Sequence, residues 1–146
     1  MYQQFRDVPI FAGLTEETLK NLSNRATQTV IAGGTMIVKE GEMGNRFYLI
    51  SSGSVRVIKS SGGTDAVELA TLRKGQFFGE MCILETLPRV ATVEALEETT
   101  LFSLSSMAFY NLYETAPKEY CILVLNIARD LSRRIRHLDE QFAARH

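Results

Sequence analysis

Glycine placement is the feature that most narrows the fold of this chain. Gly33-Gly34, Gly41, Gly53, Gly62-Gly63 and Gly75 divide its middle into short segments. Their spacing is that of the turns in an antiparallel barrel or jelly roll. Tyr48, Ile50, Val55 and Val57 alternate with a period of two, which turns one face of the pleat inward. Thr92 to Ala95 and Thr100 to Leu104 read as returning strands. The flanks are helical. Thr15 is placed to cap a helix whose Leu14, Leu19 and Leu22 form a packing stripe. Ser105 or Ser106 begins a helix to about Thr115, and Pro117 begins another. Along that last helix Val124, Ala128, Leu131, Ile135, Leu138 and Phe142 stand four and three apart. The spacing fits a short coiled-coil seam or packing across the chain's own strands.

The segment FGEMCILETLPRVATVEA, residues 78 to 95, sets a glycine and a carboxylate a short loop ahead of an arginine in apolar surroundings. Gly79 permits close backbone approach, and Glu80 to Leu84 read as one helical turn whose amides would point at an anion. Pro88 stiffens the approach to Arg89, whose guanidinium can grip phosphate oxygens with two parallel hydrogen bonds. Glu80 only accepts hydrogen bonds at neutral pH and so suits a hydroxyl. A ribose beside a phosphate would satisfy both.

This segment resembles the phosphate-binding cassette of cyclic nucleotide-binding domains, the effector domains of catabolite-activator regulators and kinase regulatory subunits. Upstream, EGEMGNRFYLISSGSVRV (residues 40 to 57) is similar to the same family's glycine-punctuated strands. The resemblance implies an α+β, mainly β fold: a double-stranded β-helix or jelly-roll β-barrel flanked by N-terminal helices and a long C-terminal helix. It divides a single domain, 1–146, into a helical lead (1–26), a β-roll (27–105) with its cassette at 78–92, and C-terminal helices (106–146). It also implies that Glu80 binds a ribose 2'-hydroxyl, that Arg89 pairs with the cyclic phosphate, and that amides near Cys82 and Ile83 complete a phosphate nest. Val57, Phe78, Gly79, Met81, Val90 and Ala91 would line the remaining pocket. Leu131, Arg134 and Ile135 are the candidate lid residues on the last helix. Three positions depart from the family pattern: Cys82 replaces a smaller residue, Val90 a hydroxyl residue and Asn45 an aspartate.

Composition removes several alternatives. At 146 residues and 45% hydrophobic content the chain suits one domain with a real core. Its formal net charge of −1 gives no global pull toward nucleic acid or an anionic membrane. A cupin-type metal centre needs several histidines inside the barrel, and the chain has two, His137 and His146, both near its C-terminus. No serine or cysteine of the strands has a histidine to activate it. Cys82 and Cys121 lack metal-ligand spacing and read as free thiols. Cys82 at a helix start could act as a redox switch, but a small buried side chain explains it more simply.

The expectation is a regulatory module, not an enzyme, with no cofactor and no metal. It would bind cyclic AMP in preference to cyclic GMP, because Val90 lacks the hydroxyl found in guanine-preferring relatives, and would signal by moving its C-terminal helix. Its partners would be a cyclic nucleotide, a second copy through that helix as a homodimer, and a protein in trans. No secretory leader or membrane span is read, so the protein is placed in the cytoplasm. Direct DNA binding is not expected, since no helix-turn-helix follows the long helix. The alternative is a ligand-free domain serving protein interaction or dimerisation.

Overall fold

The computed structural model describes residues 2–60, 66–84 and 88–145; the Gly62-Gly63 turn and cassette residues 85–87 lie outside that set. The helical lead consists of α1 (Tyr2–Arg6), a 3-10 turn (Pro9–Phe11) and α2 (Glu16–Arg25). Thr15 caps α2 by accepting the Thr18 amide at 3.2 Å. Glu16 and Glu17 in the first turn suit the positive end of its dipole.

Eight strands follow: β1 (Thr27–Ile31), β2 (Met36–Val38), β3 (Arg46–Ser52), β4 (Ser54–Lys59), β5 (Val67–Arg73), β6 (Phe77–Phe78), β7 (Thr92–Ala95) and β8 (Thr99–Ser105). They form two four-stranded antiparallel sheets, β1-β8-β3-β6 and β2-β7-β4-β5. Among the described residues the sheets do not close into a barrel. Ile50, Val55, Phe78, Val93 and Leu101 fill the space between them.

The central strands of the first sheet, β3 and β8, are buried on both faces, whereas β1 is largely exposed. Phe47 and Leu49 point away from the second sheet into a cluster with Phe5, Phe11, Phe102 and Phe109. There Phe47 packs edge-on against Phe109 at 5.8 Å. Sequence periodicity had assigned one inward face to this strand; the helices supply a second core and bury the other.

Between β6 and β7 lies a single turn, α3 (Met81–Leu84), and the chain finishes in α4 (Ser106–Thr115) and α5 (Pro117–Arg145). Among the described residues helix outweighs strand, at about 45% against 32%, where a mainly β domain was expected. The difference is largely α5, which alone has 29 residues. Its first part is fastened to the helical lead. Glu119 Oε1 accepts the Thr15 amide at 2.8 Å and the hydroxyls of Thr15 and Thr18 at 2.7 and 2.8 Å. Asn126 Nδ2 donates to the carbonyls of Ile10 and Ala12 at 2.9 and 2.8 Å. Leu123 and Ile127 are fully buried, each contributing roughly 1.5–3 kcal/mol. After Leu131 the described side chains of α5 are exposed, including Ile135, Leu138 and Phe142 of the heptad-like stripe.

Candidate functional site

The cassette hangs between the edge strand β6 and β7. Gly79 has φ +82°, and a Cβ there would stand 2.5 Å from the Arg46 carbonyl oxygen and 2.9 Å from Arg89 Nη1. Only glycine meets both the left-handed backbone and the close approach. Glu80 follows, 4% exposed, and then α3.

Arg89 is located by its backbone as well as its side chain. Its amide donates to the Glu42 carbonyl and its carbonyl accepts from the Gly41 amide, both at 2.8 Å, while Met43 and Pro88 form an isolated β-bridge. The guanidinium crosses Gly44, where an added Cβ would lie 1.9 Å from Arg89 Nε. Nη2 donates to the Arg46 carbonyl at 3.0 Å, and the guanidinium stands 6.0 Å from the ring centroid of Tyr48. Tyr48 itself stacks on Phe78 at 4.9 Å. No carboxylate pairs with Arg89 among the described residues. A guanidinium oriented by a carbonyl and an aromatic face, without a counter-ion, is suited to an anionic ligand.

Glu80 is paired instead with α5. Arg134 Nη1 donates to Glu80 Oε1 at 2.7 Å, Arg134 Nε lies 2.9 Å from Asp130 Oδ2, and the guanidinium sits 5.4 Å above the Phe77 ring. Of the three lid candidates, Arg134 therefore reaches the cassette. Leu131 packs against the helix-side core, and Ile135 is 61% exposed.

The other sequence-predicted positions divide. Phe78 and Ala91 are buried, and Val57 packs against the cluster between the sheets. Ile83 belongs to the helix-side cluster, its carbonyl accepting the Tyr120 hydroxyl at 3.4 Å. Met81 and Val90 are exposed, and the Val90 carbonyl accepts Lys59 Nζ at 3.0 Å. The amides of Cys82 and Ile83 donate to the carbonyls of Gly79 and Glu80 at 3.2 and 3.1 Å. These contacts close the α3 turn. Burial pushes the Cys82 thiol up to about 11, against an opposing pull from Arg89, so it remains a protonated side chain and not a redox thiolate. Among the described residues no group of three metal-ligating side chains could hold an ion, and no helix is long and apolar enough to cross a membrane.

Sequence reasoning did not bring Gly44, Arg46 or the ring of Tyr48 to Arg89, where the structure places them. Gly44 was legible as one of the glycines preceding β3, but its closeness to Arg89 is a tertiary contact across 45 positions of chain. Tyr48 was read as core packing; its stacking partner Phe78 is core, but its ring also faces the arginine.

Residues 28–116 match the family model described as cyclic nucleotide-binding domain. The chain belongs to that family. It is 39% identical over 113 residues to a cAMP-dependent protein kinase regulatory subunit of Debaryomyces hansenii, covering 77% of this chain and 24% of the yeast protein. It thus spans about a quarter of that relative's length. The crystal structure of Thermus thermophilus catabolite activator protein superposes with a TM-score of 0.79 at 30% identity, covering 92% of this chain and 62% of that one. A cyclic nucleotide-binding domain from Methylobacillus flagellatus shares the fold at a TM-score of 0.86 and 23% identity, covering 99% and 85%. These relatives are a regulatory subunit, an activator and a binding domain.

Proposed function

We propose that this chain is a cyclic nucleotide-binding regulatory module that prefers cyclic AMP and signals through the position of α5. The observation that carries the reading is the pairing of a buried carboxylate with an arginine from α5, beside a second arginine that has no counter-ion among the described residues. The cyclic phosphate takes Arg89. The ribose 2'-hydroxyl donates to Glu80, which at present accepts from Arg134. Ligand and α5 therefore meet at one carboxylate, and each arrangement of that carboxylate favours a different position of the helix. A ligand shifts such an equilibrium only by its differential affinity for the two states.

In this reading the two sheets act as a jelly roll whose cassette grips the ligand. Val90, without a hydroxyl, leaves no donor or acceptor for guanine and sets the preference for cyclic AMP. Exposed Ile135, Leu138 and Phe142 supply the surface for a homodimer, which Leu138→Glu would reduce to monomer in light scattering. A protein in trans is the proposed recipient of the signal, and the cytoplasm the proposed compartment.

The Glu80–Arg134 ion pair also favours a second reading. It satisfies the buried carboxylate without a ligand, as a domain that has become an interaction module would require. Calorimetric titration of nucleotide-stripped protein with cyclic AMP and cyclic GMP, beside Arg89→Ala, separates the two. Saturable heat with cyclic AMP, weaker with cyclic GMP and lost in Arg89→Ala, is the expected result. No heat with either nucleotide would leave the interaction module.

A further inference from the structure

Arg46 serves two neighbours at once. Its carbonyl oxygen holds Arg89 Nη2 at 3.0 Å, while its own Nη1 donates to Ser103 Oγ at 3.3 Å on the face of the first sheet that looks toward the second. Among the described residues no carboxylate pairs with its guanidinium. That guanidinium borders a cavity of about 310 Å³ beside the edge strands β1 and β2, where Thr27, Ile37, Tyr48 and Leu101 also form the walls. No described cassette residue lines it. The volume lies at the lower end of the range for small-molecule sites.

We propose that this cavity is a second small-molecule site, taking a small amphipathic carboxylate with its head on Arg46 and its tail against Ile37 and Leu101. Arg46 is the single charged group of the lining, and its planar fork matches a carboxylate in two parallel hydrogen bonds. The hydroxyls of Ser103 and Thr27 add neutral donors, which suit a monoanion better than a phosphate. Leu101 is buried and Ile37 partly so, giving the apolar floor that the tail requires. The site adjoins the cassette through Tyr48 and the Arg46 carbonyl, both of which contact Arg89. Occupancy is therefore felt at the phosphate arginine. Binding of the carboxylate itself goes beyond the nucleotide reading and does not depend on it.

The test is an amide and arginine-side-chain NMR titration of nucleotide-free protein with hexanoate, and with hexanol as the uncharged control. Saturable millimolar shifts centred on Thr27, Arg46 Nε and Ser103 are expected with hexanoate. They should weaken at least tenfold with hexanol and in Arg46→Gln, and should be lost in Thr27→Leu, which fills the cavity mouth. Both variants change exposed side chains, so their spectra also report that the fold persists. Equal affinity for hexanol, an unchanged Arg46→Gln titration, shifts centred on Glu80 and Arg89, or no saturation would each overturn the proposal. Cyclic AMP added at the end reports separately on the cassette, so an empty cavity and an inactive cassette give different spectra.

Discussion

Gly44→Ala separates Arg89 from the fold that supports it. The new methyl group would lie 1.9 Å from Arg89 Nε and 2.2 Å from Cζ, closer than any real carbon contact, so the guanidinium must leave its groove. Its hydrogen bond to the Arg46 carbonyl is lost with it. Arg89 is only partly buried, so that bond contributes at most about 1 kcal/mol to stability, or ~2–4 °C in Tm for a chain of this size. The effect on ligand is larger. Removing one partner of a hydrogen-bonded charge pair outright costs about 2–5 kcal/mol of binding; a displaced guanidinium keeps its charge, so Gly44→Ala should cost no more than the low end, roughly 30-fold in Kd for cyclic AMP. Gly34→Ala provides the opposite case. Its φ is +87° with no atom within 4 Å of an added Cβ, so it brings backbone strain of ~1–2 kcal/mol and leaves Arg89 untouched. Thermal melts with calorimetric titration of both variants give the measurement. Gly44→Ala should lose affinity with little stability, and Gly34→Ala stability with little affinity. Wild-type affinity in Gly44→Ala would refute the placement of Arg89 as the phosphate-binding group.

Three further outcomes follow from the same contacts. Arg134→Ala leaves Glu80 buried without its cation, so the ligand-free protein should lose about 1–3 kcal/mol. If Glu80 takes the ribose hydroxyl as proposed, that hydroxyl supplies a new donor, and cyclic AMP should raise the Tm of this variant more than that of the wild type; an equal rise would break the proposed link between α5 and the ligand. Burial pulls the Glu119 carboxyl upward, but the hydrogen bonds from the Thr15 amide and the Thr15 and Thr18 hydroxyls outweigh it and hold the group below its ordinary range. Its stabilising contribution is thus present above the ordinary carboxylate pKa of about 4.3 and is lost as pH falls through the lower folded value. Denaturant melts from pH 7 to 3 should show wild type losing its advantage over Glu119→Gln across that window. With Cys82 raised to about 11 and partly buried while Cys121 is exposed, iodoacetamide at neutral pH should alkylate Cys121 first, by peptide mass mapping. Preferential modification of Cys82 would contradict the assigned burial.

Local chemistry made much of this architecture legible. Thr15 announced α2 because a hydroxyl before an apolar stripe is a local cap, and Pro117 announced α5 because its ring suits a first helical turn. The resemblance in the cassette and the glycine-rich strands identified the family. What stayed hidden was long-range. The alternation in β3 could not reveal that Phe47 and Leu49 also face a core, because that core is built by helices distant in sequence. Leu131, Arg134 and Ile135 were equal lid candidates along one helix; the rotation that brings Arg134 to Glu80 is set by Leu123 and Ile127 packing at its root.

The fastening of α5 at Glu119 and Asn126, with its described side chains exposed beyond Leu131, would let the helix act as a mechanical amplifier in the proposed reading. At 1.5 Å per residue, Phe142 lies roughly 22 Å beyond Ile127 and Arg134 about 10 Å beyond it. A tilt of ~10° pivoting at Ile127 would carry Phe142 through roughly 4 Å and Arg134 through about 2 Å. Two ångströms is enough to part a 2.7 Å ion pair, and four is enough to change which turn of a neighbouring helix a phenyl ring meets. In the proposed mechanism an adjustment the size of one hydroxyl at Glu80 would thereby be converted, by leverage alone, into a displacement that another protein can read.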